Sequence, residues 1–293
     1  MPLLDRVYEK LVNQVIEKLS HMKNVKAPPF VENFPFTTMM AIAERAKSGT
    51  ALSEPLGSTR NFRDFRDLMF VPSMFPTVDG TPIDLSVTLG KHCAKPFNIP
   101  VPFMLSAYGY GVSVSKKVKV ALAMASAMAG TATNSGEGGY LPEERKLASR
   151  YIVQYNRAGW GNGTEELRGC DMVEIRMGQG ASAGDGFRIR ANAIDEELRD
   201  HLKLKKGEDA VMPSRFPDIN NEGDLRRKVP ELRDITQGVP VALKIAAGDI
   251  EKDLDTAVSA GVDVVVLDGA QGGDCGKSGD HHQQFRHTHA LRR

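Results

Sequence analysis

The chain has 293 residues, with apolar and charged fractions of 41% and 26% and a formal net charge of +1. That length can bury one barrel-sized core or two smaller ones, and near-neutrality leaves no electrostatic footprint for nucleic acid. No apolar run approaches the ~20 residues of a membrane span, and Met1-Pro2-Leu3-Leu4-Asp5 lacks a basic-then-apolar leader, so a cytoplasmic setting without membrane contact is expected. Cys93, Cys170 and Cys275 lie far apart with no CxxC spacing, which argues against a disulfide scaffold and gives no sequence support for a metal site.

In chain order, Leu4, Val7, Leu11, Val15 and Leu19 recur at three- and four-residue spacing, the stripe of an amphipathic helix packing on the body of the protein. Ala27-Pro28-Pro29 breaks it, and a second helix is expected from Thr37 to Lys47. Residues 50–100 are rich in Pro and Gly. Residues 1–99 therefore read as a helical arm followed by a crossing segment. From about residue 100, short apolar runs alternate with helical ones. Strands are expected at 101–108, 131–135, 151–155, 171–177, 239–246 and 262–267. Helices are expected at 116–128, 143–149, 164–168, 195–201, 222–235 and 250–260, the first with Val118, Leu122 and Ala125 on one face. This alternation predicts an α/β fold with a parallel sheet or barrel over residues 100–273; its roughly six strand–helix units, against the eight of a closed (β/α)8 barrel, would make any barrel an incomplete one.

Three glycine-punctuated segments follow apolar runs: Thr133–Gly139, Glu174–Gly180 and Val264–Gly273. Loops after parallel strands face the mouth of such a fold, so residues 133–139, 176–180 and 268–273 are expected on one rim. Lys244 and Arg176 each interrupt an apolar strand. A solvated lysine is one reading of Lys244; a cation placed at a ligand is the favoured one. The planar fork of Arg176 suits a carboxylate or phosphate. Glu137 sits between glycines, as an exposed loop acid or a catalytic one.

Thr133-Asn134-Ser135-Gly136-Glu137-Gly138-Gly139 resembles the "SNTGEGG" loop of the glutamate synthase family's central flavin-binding domain, including its stand-alone archaeal-type members. Ile175–Gly186 resembles that family's "IKMAQGAKPGEGG", Leu243-Lys244-Ile245 its "VKL" strand, and Asp268–Gly273 the start of its "GHDGGTGASP". The resemblance runs over roughly residues 55–273. It implies a (β/α)8 barrel that binds FMN and condenses ammonia or an amine with 2-oxoglutarate, a flavin hydride then giving L-glutamate. By position, Ser106, Ala107 and Tyr108 would run under the flavin ring. Asn134, Arg176 and Gln179 would contact flavin or keto acid, and Gly272 and Gly273 would belong to the cofactor side. Lys244 would stabilise the reduced flavin, with Glu137, Gln179 and Lys244 as the catalytic set. A separate amidotransferase or electron-donor subunit is implied as a partner.

The departures from the family pattern are specific. Arg176 and Ser182 stand where lysines are expected, and Phe216-Pro217-Asp218 replaces a "PHHD", which leaves the keto acid open. A catalytically dead truncated remnant, a partner-completed binding subunit, and N-methylglutamate-type amine transfer are the alternatives. Gly276-Lys277-Ser278 would need a glycine where Gln271 stands to be a phosphate loop, and the histidines after residue 280 show no metal-ligand spacing. Back-translating Asp274–Arg292 and shifting by one base recovers a Gly-Gly-Thr-x-x-Ser-Pro signature, so residues 274–293 are expected to be a frameshifted tail. A barrel lacking its last strands is expected to aggregate and to hold little flavin.

Overall fold

The computed structural model describes residues 82–180 and 183–269, with isolated positions 46, 49, 69, 71, 74 and 75. The chain divides into two units, Met1–Pro72 and Ser73–Arg293; the fold below belongs to the second. The expected helix at 3–19, that at 37–47 apart from residue 46, Gly272, Gly273 and the tail 274–293 lie outside the described residues.

The described chain opens with a hairpin, β1 (Val87–Leu89) and β2 (Phe97–Ile99), paired antiparallel with Val87 opposite Ile99. The alternating units follow: α1 (Lys116–Ala129), β3 (Ala132–Asn134), α2 (Pro142–Leu147), β4 (Arg150–Tyr155), α3 (Thr164–Arg168) and β5 (Met172–Arg176). An excursion comes next, with β6 (Phe187–Ile189), a 3-10 turn at Ala191–Ala193, α4 (Glu196–His201) and β7 (Ala210–Met212). The alternation resumes with α5 (Glu222–Ile235), β8 (Val241–Ala246), α6 (Ile250–Ala260) and β9 (Val264–Asp268).

Among the described residues the sheet has five strands, all parallel, in the order β3-β4-β5-β8-β9. Its strand order follows the chain, as in an incomplete (β/α)8 barrel. Period-two alternation separates its faces. Tyr151, Val153, Val173, Ile175, Val241, Leu243 and Ile245 point outward and pack on Leu167, Leu225, Val229, Leu232, Ala257 and Ala260 of the helices. Ala132, Ile152, Met172 and Ala242 point inward near the strand starts, where Phe97 and Ile99 of the hairpin cover them. Further along the same inner face the residues turn polar: Asn134, Gln154, Glu174, Arg176 and Lys244, all buried. A buried polar inner face above an apolar floor is what positions the site.

Four expectations are corrected. Residues 101–108 do not form a strand; they make one parallel bridge, Ala107 to Asn134, and one ladder-like bond from Leu105 N to Ala132 O at 2.9 Å. Among the described residues the parallel sheet therefore has five strands and this bridge where six strands were expected. The two short antiparallel pairs, β1–β2 and β6–β7, were not expected; three residues each are too few to show a period. Residues 87–99 pack as a plug in the barrel floor and so belong with it, whereas they were expected to be part of a crossing arm. The buried face of α1 is Lys119, Ala123 and Ser126, while Val118 and Ala125 are exposed and Leu122 half-buried. A charged pair at Lys119 fixes the helix orientation against its apolar stripe. Cys93 and Cys170 are free thiols.

Candidate active site at the strand C-termini

β3 ends in the glycine loop because its last residue folds the chain back. Asn134 Oδ1 accepts from Gly136 N at 2.9 Å, an Asx turn that starts the loop. Gly136 has φ +64°, and a Cβ there would sit 2.5 Å from Gly109 N; a Cβ on Gly138 would sit 2.4 Å from Tyr110 O. These glycines thus serve backbone-to-backbone packing on residues 108–110, a close approach within the protein itself. His201 of the excursion lies 2.8 Å from Gly138 O through Nε2 and edge-on to Tyr110, with ring centroids 5.0 Å apart. A carbonyl only accepts, so this geometry requires the Nε2–H form of the ring.

Below the loop, Glu174 Oε1 accepts from Asn134 Nδ2 at 3.1 Å and from Gln154 Nε2 at 2.7 Å. Gln154 stands opposite Glu174 in the β4–β5 register. Gln154 Oε1 is buried without a partner among the described residues. The amide therefore spends its donor on Glu174 and keeps an acceptor in reserve.

Arg176 closes β5 and is 1% exposed. Its Nε donates to Gln179 Oε1 at 2.9 Å, and the guanidinium pairs with Glu137, Oε2 lying 2.9 Å from the same nitrogen. Its two terminal nitrogens are buried and have no partner among the described residues. A buried guanidinium with an unsatisfied fork is costly unless something anionic meets it. Directly across the β5–β8 register stands Lys244, 5% exposed, its Nζ 3.2 Å from Asp268 Oδ2 at the end of β9. Burial removes the reading of Lys244 as a solvated surface lysine, and likewise that of Glu137 as an exposed loop acid.

The expected rim residues thus meet as far as the chain is described: Glu137 with Arg176, Arg176 with Gln179, and Lys244 with Asp268. Ala107 bridges Asn134, placing Ser106, Ala107 and Tyr108 beside this ring, with Ser106 and Tyr108 exposed. Gly272 and Gly273 lie outside the described residues, and so does Ser182.

Sequence reasoning passed over Arg157, the residue that shapes the second loop. Its guanidinium donates to the carbonyls of Met177, Gly184, Asp185 and Pro213. Burial, with Arg176 nearby, pulls it down to about 10, still charged at neutral pH. Its guanidinium also lies 5.8 Å from the centre of the Phe216 ring, which stacks on Tyr155 at 5.8 Å. Phe216 is core, and Asp218 pairs with Lys228 at 2.9 Å and accepts from Tyr155 OH at 2.5 Å. Phe216-Pro217-Asp218 therefore braces the loop from behind.

Among the described residues no group of three or more His, Cys, Asp and Glu could hold a metal, and no helix is long and apolar enough to cross a membrane.

Residues 70–284 match a family model described as the conserved region in glutamate synthase. The glutamate synthase large subunit-like protein of Rhizobium meliloti (strain 1021) is 34% identical over 243 residues, spanning 80% of this chain and 54% of that protein. The archaeal-type glutamate synthase (NADPH) of Thermotoga neapolitana is 28% identical over 265 residues, spanning 80% of this chain and 51% of that protein. A crystal structure of mandelate oxidase covers 67% of this chain and 55% of its own, at 16% identity and a TM-score of 0.41. The chain spans about half the length of these curated relatives. The family match extends over well more than half of the sequence and takes in every strand end that builds the site: the chain belongs to the glutamate synthase family.

Proposed function

We propose that this chain carries the keto-acid side of a flavin-dependent site that reductively aminates 2-oxoglutarate to L-glutamate. One observation carries the reading: the Arg176 fork, fully buried beside Glu137 and Gln179, with both terminal nitrogens unpartnered among the described residues. A carboxylate meets such a fork with two parallel charge-assisted hydrogen bonds. Gln179 holds the fork in orientation through Nε. Glu137, with Oε2 committed to Arg176, moves protons at Oε1 as ammonia replaces the keto oxygen.

The residues present fit a flavin on its ring side. Gln154 keeps a buried acceptor, and Lys244 places a buried cation next to Arg176. FMN would be held there by Ser106, Ala107, Tyr108, Asn134 and Lys244, and would supply the hydride chemistry. Lys244 favours negative charge on the bound ligand, and Asp268 keeps its Nζ in place. The ammonia, the electron donor and a partner amidotransferase belong to this proposal as chemical classes.

A second reading has its own support. Among the described residues β9 pairs only with β8. Completion of the sheet by further sequence or by a partner chain would then precede activity.

The test is flavin content and glutamate formation by the purified chain, with ammonia, 2-oxoglutarate and a chemical reductant. Arg176→Gln should raise the KM for 2-oxoglutarate at least about tenfold while leaving bound flavin in place. Flavin binding with no turnover, restored by a co-expressed C-terminal half of a relative, would favour the second reading. Loss of flavin alone, with an unchanged keto-acid KM, would remove Arg176 from the role assigned to it.

A further inference from the structure

The opposite end of the sheet carries a feature the proposed reaction does not use. A cavity of about 500 Å³ opens where the strands begin, between the β1–β2 hairpin and the starts of β4, β5 and β8. Its wall contains Lys95, Arg145, Arg150 and Arg168, and a single carboxylate, Asp171.

The elements that place these cations are fixed ones. Lys95 precedes β2, Arg145 lies on α2, Arg150 opens β4 and Arg168 ends α3. Asp171 is already occupied: its Oδ2 accepts from Tyr151 N at 2.8 Å and faces Arg145 at 3.5 Å. Arg145 is held by Gly169 O at 2.5 Å through Nε. Arg150 donates to one backbone carbonyl, Ser149 O at 3.1 Å, and makes no ion pair among the described residues. Among the described residues Lys95 reaches only neutral oxygens, Thr236 O at 3.2 Å and Gln237 Oε1 at 3.3 Å. Arg168 pairs with Glu165 at 3.3 Å, a contact made in solvent on the helix surface. Four cations therefore face one cavity against one committed carboxylate.

We infer that this cavity is a binding site for a small polyanion bearing two or more phosphate groups. Guanidinium forks match phosphate oxygens two at a time, and three of the four cations are arginines. A monocarboxylate would leave most of the positive charge uncompensated. The volume lies within the range of small-molecule sites. The ligand would bridge the hairpin to the strand starts and so stabilise the floor on which the catalytic face rests.

Calorimetric titration of the full chain with inorganic triphosphate tests this, beside orthophosphate and sulfate. Saturable one-to-one binding of triphosphate is expected, at least about tenfold tighter than orthophosphate and weakened by salt. Arg150→Gln and, separately, Lys95→Gln should each weaken it about tenfold or more. Both side chains reach solvent, and matching thermal melts would show that the variants fold. Arg226→Gln, on the exposed face of α5, should leave binding unchanged. Equal binding of all three anions, loss of binding in Arg226→Gln, or retention of it in both cavity variants would overturn the inference. Loss of binding in Arg176→Gln with retention in Arg150→Gln would place the anion at the catalytic end and overturn it too.

Discussion

Lys119 and Glu144 form an ion pair in which neither side chain reaches solvent, Nζ lying 2.8 Å from Oε1. The pair ties α1 to α2 and reaches the site itself, because Lys119 Nζ also donates to Asn134 O at 2.6 Å. Glu144 accepts in addition from Tyr151 OH at 2.9 Å and Thr133 Oγ1 at 3.2 Å. Burial pulls the lysine down and pushes the carboxyl up, and their mutual attraction opposes both shifts. Lys119→Met should cost about 3–5 kcal/mol, since it strands a buried carboxylate. Lys119→Met combined with Glu144→Leu should recover much of that loss. Urea unfolding of the single and double variants measures both; a double variant as unstable as the single would contradict the stranded-charge account.

Arg176 and Glu137 are coupled in the same way across the loop. Glu137→Gln keeps a hydrogen-bonding oxygen and should be tolerated. Glu137→Leu leaves the guanidinium buried with no carboxylate at 2.9 Å, and should cost about 3–5 kcal/mol unless an anion fills the fork. Added 2-oxoglutarate should therefore raise the melting temperature of Glu137→Leu more than that of the parent. Equal shifts would mean that the fork does not face the keto acid.

Arg157→Lys tests what holds the second loop. One ammonium cannot reach the four carbonyls that the guanidinium spans. Amide hydrogen exchange across residues 177–186 should rise at least about tenfold, with a loss of about 1–3 kcal/mol of stability. Unchanged exchange there would show that Phe216 and Tyr155 alone brace the loop.

These side chains also mark where the sequence was legible and where it was not. Helices such as 222–235 and 250–260 and the apolar strands declared themselves through periodicity and end signals. Arg176 and Lys244 stood out because apolar packing gives no reason to place a cation inside a buried strand. Lys119 and Glu144 did not, since a charge on an amphipathic helix ordinarily reads as its wet face. The α1 stripe of Val118, Leu122 and Ala125 pointed the wrong way for that reason. Arg157 sits in a turn with no local pattern, and its partners come from residues 177–213, a relationship that only the fold creates. Glu174 and Gln154 were readable in principle, as two polar residues at inward positions of strands otherwise apolar.

The His201 cap on the glycine loop makes the stability of the protein depend on pH. Burial holds the His201 imidazole below its ordinary 6.5. Lys116 pushes the same way, while the Gly138 carbonyl, Glu143 and Glu197 pull it back. The ring is therefore neutral in the folded protein over a range where the unfolded chain already binds a proton. Such a group contributes stability that is present above about pH 6.5 and lost as pH falls through the folded value. Stability measured by denaturant between about pH 7.5 and 5.5 should fall with acidification. His201→Gln should flatten that slope, because glutamine can still donate to Gly138 O but takes up no proton. At neutral pH the variant should lose little stability, as the hydrogen bond is kept. Flavin binding should follow the same profile if the loop after β3 borders the cofactor, since the imidazole is what pins Gly138. Superimposable pH profiles for parent and variant would mean that the buried ring carries no proton linkage, and that the cap is held instead by the apolar cluster in which Tyr110 and Leu198 of α4 are buried.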